Sequence, residues 1–220
     1  MKNSIIFFSL LILSNIIGYV FNIIISKFWD KRHKHHTSTS KKEVLYSLLI
    51  LLIKNILIAI PGYILWQIDI ITFSSDNFLI SFIALFILMD FLMYVLHWCS
   101  HNIPYLNKLH AKHHEHTIEF NAVSLYYMSL WEAVFFGLLL TIVSIVFSFN
   151  LYSFIVFLVF NWLYGVITHL NVKKNVNIKT AKKSSLLFTT NSFHQKHHQL
   201  NYYNYGFYTV FWDEVFKTAK

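Results

Sequence analysis

Thiols, chain breakers and charge are all scarce in this chain of 220 residues. It has one cysteine, Cys99, which excludes an intrachain disulfide and leaves the redox compartment unreadable from thiols. Two prolines and five glycines give few places to stop a helix, and no linker-like stretch divides the sequence. Only 13% of residues are charged, against about a quarter in an ordinary soluble domain. No internal repeat or low-complexity tract occurs. No flavin, haem or iron–sulfur motif occurs either.

What fills the chain is apolar: 56% hydrophobic residues, with 22 phenylalanines. Five runs, at about 4–26, 44–66, 78–97, 130–149 and 151–169, approach the roughly 20 residues that cross a bilayer. The first, Ile5 to Ile25, follows only Lys2. It exceeds the apolar part of a cleaved signal and lacks a small-residue cleavage pattern, so it reads as a retained span. The last two runs nearly abut, as a tight hairpin or a re-entrant pair. The expected fold class is all-α: a polytopic helical membrane protein of four to five transmembrane helices. The expected organisation is a single membrane-embedded domain over 1–220, with N-terminal spans in 1–77.

The formal charge of +8 is segregated by loop, which argues for membrane topology and against nucleic acid as a partner. Lys27, Lys31, Arg32, Lys34, Lys41 and Lys42 follow the first run, Lys108 and Lys112 follow the third, and eight lysines follow Leu170. The loop from Gln67 to Asn77 has Asp69 and Asp76 but no Lys or Arg, and the turn at Ser148 to Asn150 has none. An N-terminus outside puts every basic loop in the cytoplasm, together with the C-terminus. Lys54 breaks the pattern: it faces a polar cavity, or its span is shorter than drawn.

Three histidine clusters fall on that same side: His97 and His101; His110, His113 and His114; His194, His197 and His198. Residues three and four apart share a helix face, so each cluster can aim its imidazoles at one point. Adjacent members (113/114 and 197/198) diverge by about 100°, so one of each pair can serve one ion and its neighbour a second. Imidazole suits iron, zinc, copper or nickel, and eight exceed the needs of one four-coordinate zinc. Asp90, seven residues before His97, and Tyr94 between them share its face. They are the candidate catalytic residues, with Asp90 the expected acceptor for a ligand N–H. His169 reads as a ninth ligand, a donor beside the ligands or a plain interfacial histidine. His116 breaks the spacing and reads as surface. His33, His35 and His36 sit among lysines as a solvated basic segment, and Cys99 as a packing residue. Trp98, Phe120, Trp131, Tyr202 and Phe207 would line a groove or anchor at the interface.

Together these residues resemble the fatty acid hydroxylase and sterol desaturase superfamily of membrane di-iron enzymes, from about Asp90 to the C-terminus. The pattern reads Asp90-Phe-Leu-Met-Tyr94, His97-Trp-Cys-Ser-His101, His110-Ala-Lys-His113-His114, His194-Gln-Lys-His197-His198, Asn204-Tyr205-Gly206 and Trp212-Asp213, with His169-Leu-Asn171-Val172 between the second and third boxes. It departs from the family where Tyr126 or Tyr127 stands ahead of Glu132 in place of an arginine, where Lys217-Thr218 replaces a closing Gly-Thr, and where Lys173 replaces a further histidine of some members. The HxxxH form leans toward sterol-desaturase-like or alkylglycerol-monooxygenase-like members. The resemblance implies a catalytic region over 78–220 whose cytoplasmic helical cap carries a histidine-ligated dimetal site, two iron ions with zinc as a substitute, dioxygen as co-substrate, electrons from a separate reductase or carrier, and hydroxylation or desaturation of a membrane lipid. The rival reading is a histidine-rich membrane metal transporter or metal-binding protein. That would want acidic and histidine ligands along the spans, where only Asp90 and Lys54 lie. A bis-histidine haem carrier would want single histidines on facing helices.

Overall fold

The computed structural model describes residues 3–172 and 187–220. Lys2, Lys173 and four of the other tail lysines (Lys174, Lys179, Lys182 and Lys183) lie outside the described residues. Among the described residues eight α-helices follow in order: α1 (Ser4–His33), α2 (Lys41–Gln67), α3 (Phe78–Asn102), α4 (Pro104–His110), α5 (Leu130–Val146), α6 (Leu151–Thr168), α7 (Asn191–Leu200) and α8 (Phe211–Val215). Four of them, α1, α2, α3 and α6, are long and apolar enough to cross a membrane. At 1.5 Å per residue, α3 is about 37 Å long and α5 about 25 Å, against a hydrocarbon core of about 30 Å.

Polar residues set the ends. Ser40 and Glu43 close a capping box at the start of α2, and the side chains of Asn77, Ser129 and Asn150 accept from the first turns of α3, α5 and α6. The basic stretch after the first apolar run is not a loop at its start. α1 continues through Lys31, Arg32 and His33, where cations at a helix C-terminus are favoured. α3 likewise runs past residue 97 to Asn102 and carries the whole first histidine box.

The two loops without basic residues meet. Two-residue strands β1 (Phe73–Ser74) and β2 (Phe149–Asn150) pair in parallel, and Asn150 Nδ2 donates to the Asp76 carbonyl at 2.9 Å. The α2–α3 and α5–α6 connections therefore sit at one end of the bundle. α3 forms its axis: Leu85, Met89 and Met93 pack with Val143, Phe157 and Tyr208. A smaller core of Tyr19, Leu51 and Val123 joins α1 and α2 to the loop before α5. The outer faces of α1 and α2 carry exposed Ile, Leu and Phe along most of their length. In water such surface costs about 25 cal/mol per Å², so the helices need lipid around them.

Candidate metal centre

The histidines gather from four places. His97 and His101 stand one turn apart near the end of α3. His110 ends α4, and His113 and His114 follow in a short 3-10 turn. His169 caps α6, and His194, His197 and His198 lie on α7. The second box is thus not one α-helix, contrary to its spacing. A break at Ala111 and Lys112 turns the chain, and the imidazoles still converge.

They form two groups, each with ligand atoms within 4.8 Å of one another: His97, His101, His110, His114 and His197; and His113, His169, His194 and His198. The adjacent pairs split between them, His114 and His197 to the first, His113 and His198 to the second. His169, left open by the sequence, sits in the second group. Its Nε2 is 3.2 Å from that of His194 and 3.4 Å from that of His113.

Hydrogen bonds fix which ring nitrogens carry protons. His97 Nδ1 donates to the Tyr205 carbonyl at 2.8 Å, His197 Nδ1 to the Tyr203 carbonyl at 2.7 Å, and His169 Nδ1 to the Gly165 carbonyl at 2.8 Å. A carbonyl only accepts, so each Nδ1 bears the proton and each neutral ring turns a bare Nε2 lone pair inward. His110 Nδ1 does the same toward Glu132 Oε1 at 2.7 Å, with both side chains buried. His114 Nε2 lies 3.0 Å from His110 Nε2 and 3.2 Å from His197 Nε2, and a single N–H there can satisfy only one of them. His101 Nε2 is buried without a partner among the described residues. Converging lone pairs repel each other unless a cation lies between them, so this donor set fits metal ions.

Asp90, the expected acceptor, has a different task. Its Oδ1 accepts from the backbone N–H groups of Tyr208 and Thr209, and its Oδ2 from Thr209 Oγ1 at 2.5 Å. Asp213 holds the same segment, accepting from Tyr205 N, Gly206 N and Thr218 Oγ1. The Thr218 proton is committed to Asp213, so the Tyr94 hydroxyl donates to Thr218 Oγ1 at 3.0 Å. Asp90, Tyr94 and Asp213 therefore tie the C-terminal loop onto α3, and that loop supplies the carbonyls that orient His97 and His197. Gly206 has no room for a side chain, because a Cβ would collide with the Thr209 carbonyl and the Asp213 carboxylate. Asn171 knots the other side, bonding Asp30, the Phe120 backbone and, through its carbonyl, Trp29.

Glu132, which the sequence left as a landmark only, is the carboxylate acceptor. An acid in the first turn of an otherwise apolar helix was its available signal. His116 is not a surface residue: it bonds Glu43 at 3.0 Å and Ser124 at 2.7 Å and stacks on Tyr127. His35 is buried beside Glu119, while His36 is exposed. Of the aromatics, Phe120 is buried against His169, His194 and His198, whereas Trp98, Trp131 and Tyr202 are exposed.

A cavity of about 830 Å³ opens from both groups into the helices. Its walls include His97, His110, His113, His169 and His194, then Met89, Met93, Phe136 and Phe157. The histidines of the two groups that lie outside the long helices are held below the ordinary imidazole value, first by burial and then by one another. His114 falls to about 3 and His169 to about 4, with His113, His194, His197 and His198 well below that ordinary value. The folded chain thus refuses protons that the unfolded chain accepts below about 6.5. Stability of the metal-free protein is expected to be full above that pH and to fall progressively below it. Thermal unfolding of chelator-treated protein from pH 8 to pH 5 checks this, and a flat midpoint across that range would mean that the imidazoles are open to water.

A profile of the fatty acid hydroxylase family matches residues 82–218, more than half of the chain. Searches among curated proteins and among solved structures gave no match. The matched region spans both histidine groups, Glu132 and the C-terminal loop that orients them, and the chain belongs to the fatty acid hydroxylase family.

Proposed function

We propose that this protein is a dioxygen-dependent, di-iron membrane oxidoreductase. In this reading it hydroxylates or desaturates an unactivated C–H position of a fatty acyl, sterol or ether lipid on the cytoplasmic side. The observation that carries the reading is that two histidine groups, five and four strong, open onto one largely apolar cavity. Iron fits better than zinc, because closed four-coordinate zinc leaves no reason for nine imidazoles in two groups. Zinc would bind as a substitute.

When bound, two redox-active ions supply dioxygen activation and the oxidising power to take hydrogen from carbon. The chain's own residues do the rest. Tyr203, Tyr205 and Gly165 carbonyls and Glu132 hold ligand rings at fixed angles. Met89, Met93, Phe136 and Phe157 exclude water and accept hydrocarbon. Where the cavity places the second hydrogen decides between hydroxylation and desaturation. Electrons come from a separate reductase or carrier. The basic loops and tail orient the histidines to the cytoplasm by the positive-inside rule.

Lipid profiles of cells with and without the gene, grown under isotopically heavy dioxygen, test this directly. One lipid class is expected to gain heavy oxygen or to lose two hydrogens only when the gene is present. Identical profiles in every class would defeat the reading.

A further inference from the structure

α1 and α2 lie outside the family match, yet they close the cavity. Leu11, Asn15 and Gly18 of α1 and Lys54 and Asn55 of α2 line it. Among the described residues Lys54 is the one Lys or Arg in the lining. No carboxylate among the described residues pairs with it, and it has no hydrogen-bond partner there. Asn55 Nδ2 beside it is buried and also unpartnered. Glu132 Oε2, a buried carboxylate oxygen of the same lining, has no partner either and makes no ion pair with Lys54, so among the described residues the wall holds an ammonium and an amide N–H with no acceptor in bonding contact.

The helix levels put that place near the metal centre. Tyr46 bonds the Met128 carbonyl ahead of α5, and Ile58 lies against Gly137. α2 and α5 therefore ascend together, and Lys54 stands level with Ala133. That is one residue from Glu132, whose Oε1 is committed to His110. On α1, the Tyr19–Ser47 bond and the Phe7–Tyr63 ring contact set an antiparallel register that brings Asn15 to the same level. A cavity of about 830 Å³ is in the range of about 300–1,000 Å³ that takes a single small ligand.

We propose that Lys54 and Asn55 form an anion subsite that selects a single-chain lipid with a carboxylate head over its neutral counterparts. Lys54 donates to the carboxylate, Asn55 adds a second N–H, and the hydrocarbon lies along the apolar wall. Lys54 is a specificity residue and takes no part in the oxidation. The inference rests on the lipid-oxidation reading for its purpose, but its test does not require turnover.

The test uses the full chain in phosphatidylcholine nanodiscs, titrated with oleate, oleyl alcohol and methyl oleate against empty nanodiscs. Wild-type protein is expected to bind oleate about 10- to 100-fold more tightly than the alcohol or ester, as for a charge-assisted hydrogen bond out of water. Lys54→Met should bring oleate down to the level of the alcohol and leave alcohol binding unchanged, whereas Lys54→Arg should keep most of the preference. Equal wild-type binding of oleate and alcohol overturns the proposal whether or not Lys54→Met folds. So does a Lys54→Met protein that keeps the preference, or one that loses all three ligands equally, as it would if Lys54 served only to balance Glu132. Protein that binds oleate through Lys54 but oxidises no lipid defeats the oxidoreductase reading alone. Protein that oxidises a neutral lipid and ignores oleate defeats this one alone.

Discussion

Under the proposed function, His197→Ala is expected to abolish lipid oxidation and to strip iron from a protein expected otherwise to hold about two ions per chain. His197 is fully buried, its Nδ1 is tied to the Tyr203 carbonyl, and its ring lies 4.4 Å from that of His97 and 4.6 Å from that of His101. Its removal takes a lone pair from the five-membered group and frees the loop that orients His97. Even partners that only orient a ligand alter metal affinity by about 10- to 100-fold, so loss of a ligand should exceed that. His113→Ala should be at least as severe, because the four-membered group has no spare imidazole. Metal analysis of purified protein and product formation in cells are the measurements. His36→Ala, an exposed change, should affect neither. Unchanged lipid oxidation in the His197→Ala protein would end the ligand assignment.

Glu132→Gln should leave the protein folded while lowering iron affinity and turnover together by about 10- to 100-fold. The carboxylate meets His110 Nδ1 at 2.7 Å, and both side chains are about 3% exposed. A buried carboxylate is costly unless it answers a positive charge. Here the charge would be shared through the imidazole to a bound cation, making His110 a stronger donor. Glutamine keeps the shape and an acceptor oxygen but not the charge, so it separates the two contributions. Iron release to a chelator is the readout. Wild-type retention in Glu132→Gln would mean that packing alone holds His110.

How far the sequence could be read differs from residue to residue. The histidine boxes were legible because ligand chemistry needs a rare residue at helical spacing. The split of His197 from His198 followed from the angle between neighbours on an α-helix, whereas His113 and His114 part on a 3-10 turn, where neighbours diverge by about 120°. Helix limits were less legible: α1 and α3 ran beyond their apolar runs, since charged or polar residues extend a helix end once the dipole favours them. Asp90 was misassigned because its spacing to His97 fits a shared face, whereas its partners, Tyr208 and Thr209, are more than a hundred positions away. The same distance hid the carbonyls of Tyr203 and Tyr205, which no side-chain pattern can announce.

By itself the sequence determined a lipid-embedded helical chain, the positions that could bind metal, and the loops that share one side. These are local quantities, set by hydropathy, charge and helical period. Only the tertiary structure decided that His169 joins the second group, that Glu132 rather than Asp90 meets an imidazole, and that Lys54 faces the cavity near the metal centre. Each of those depends on which helices cross at which level, and that is settled by packing between segments far apart in the chain.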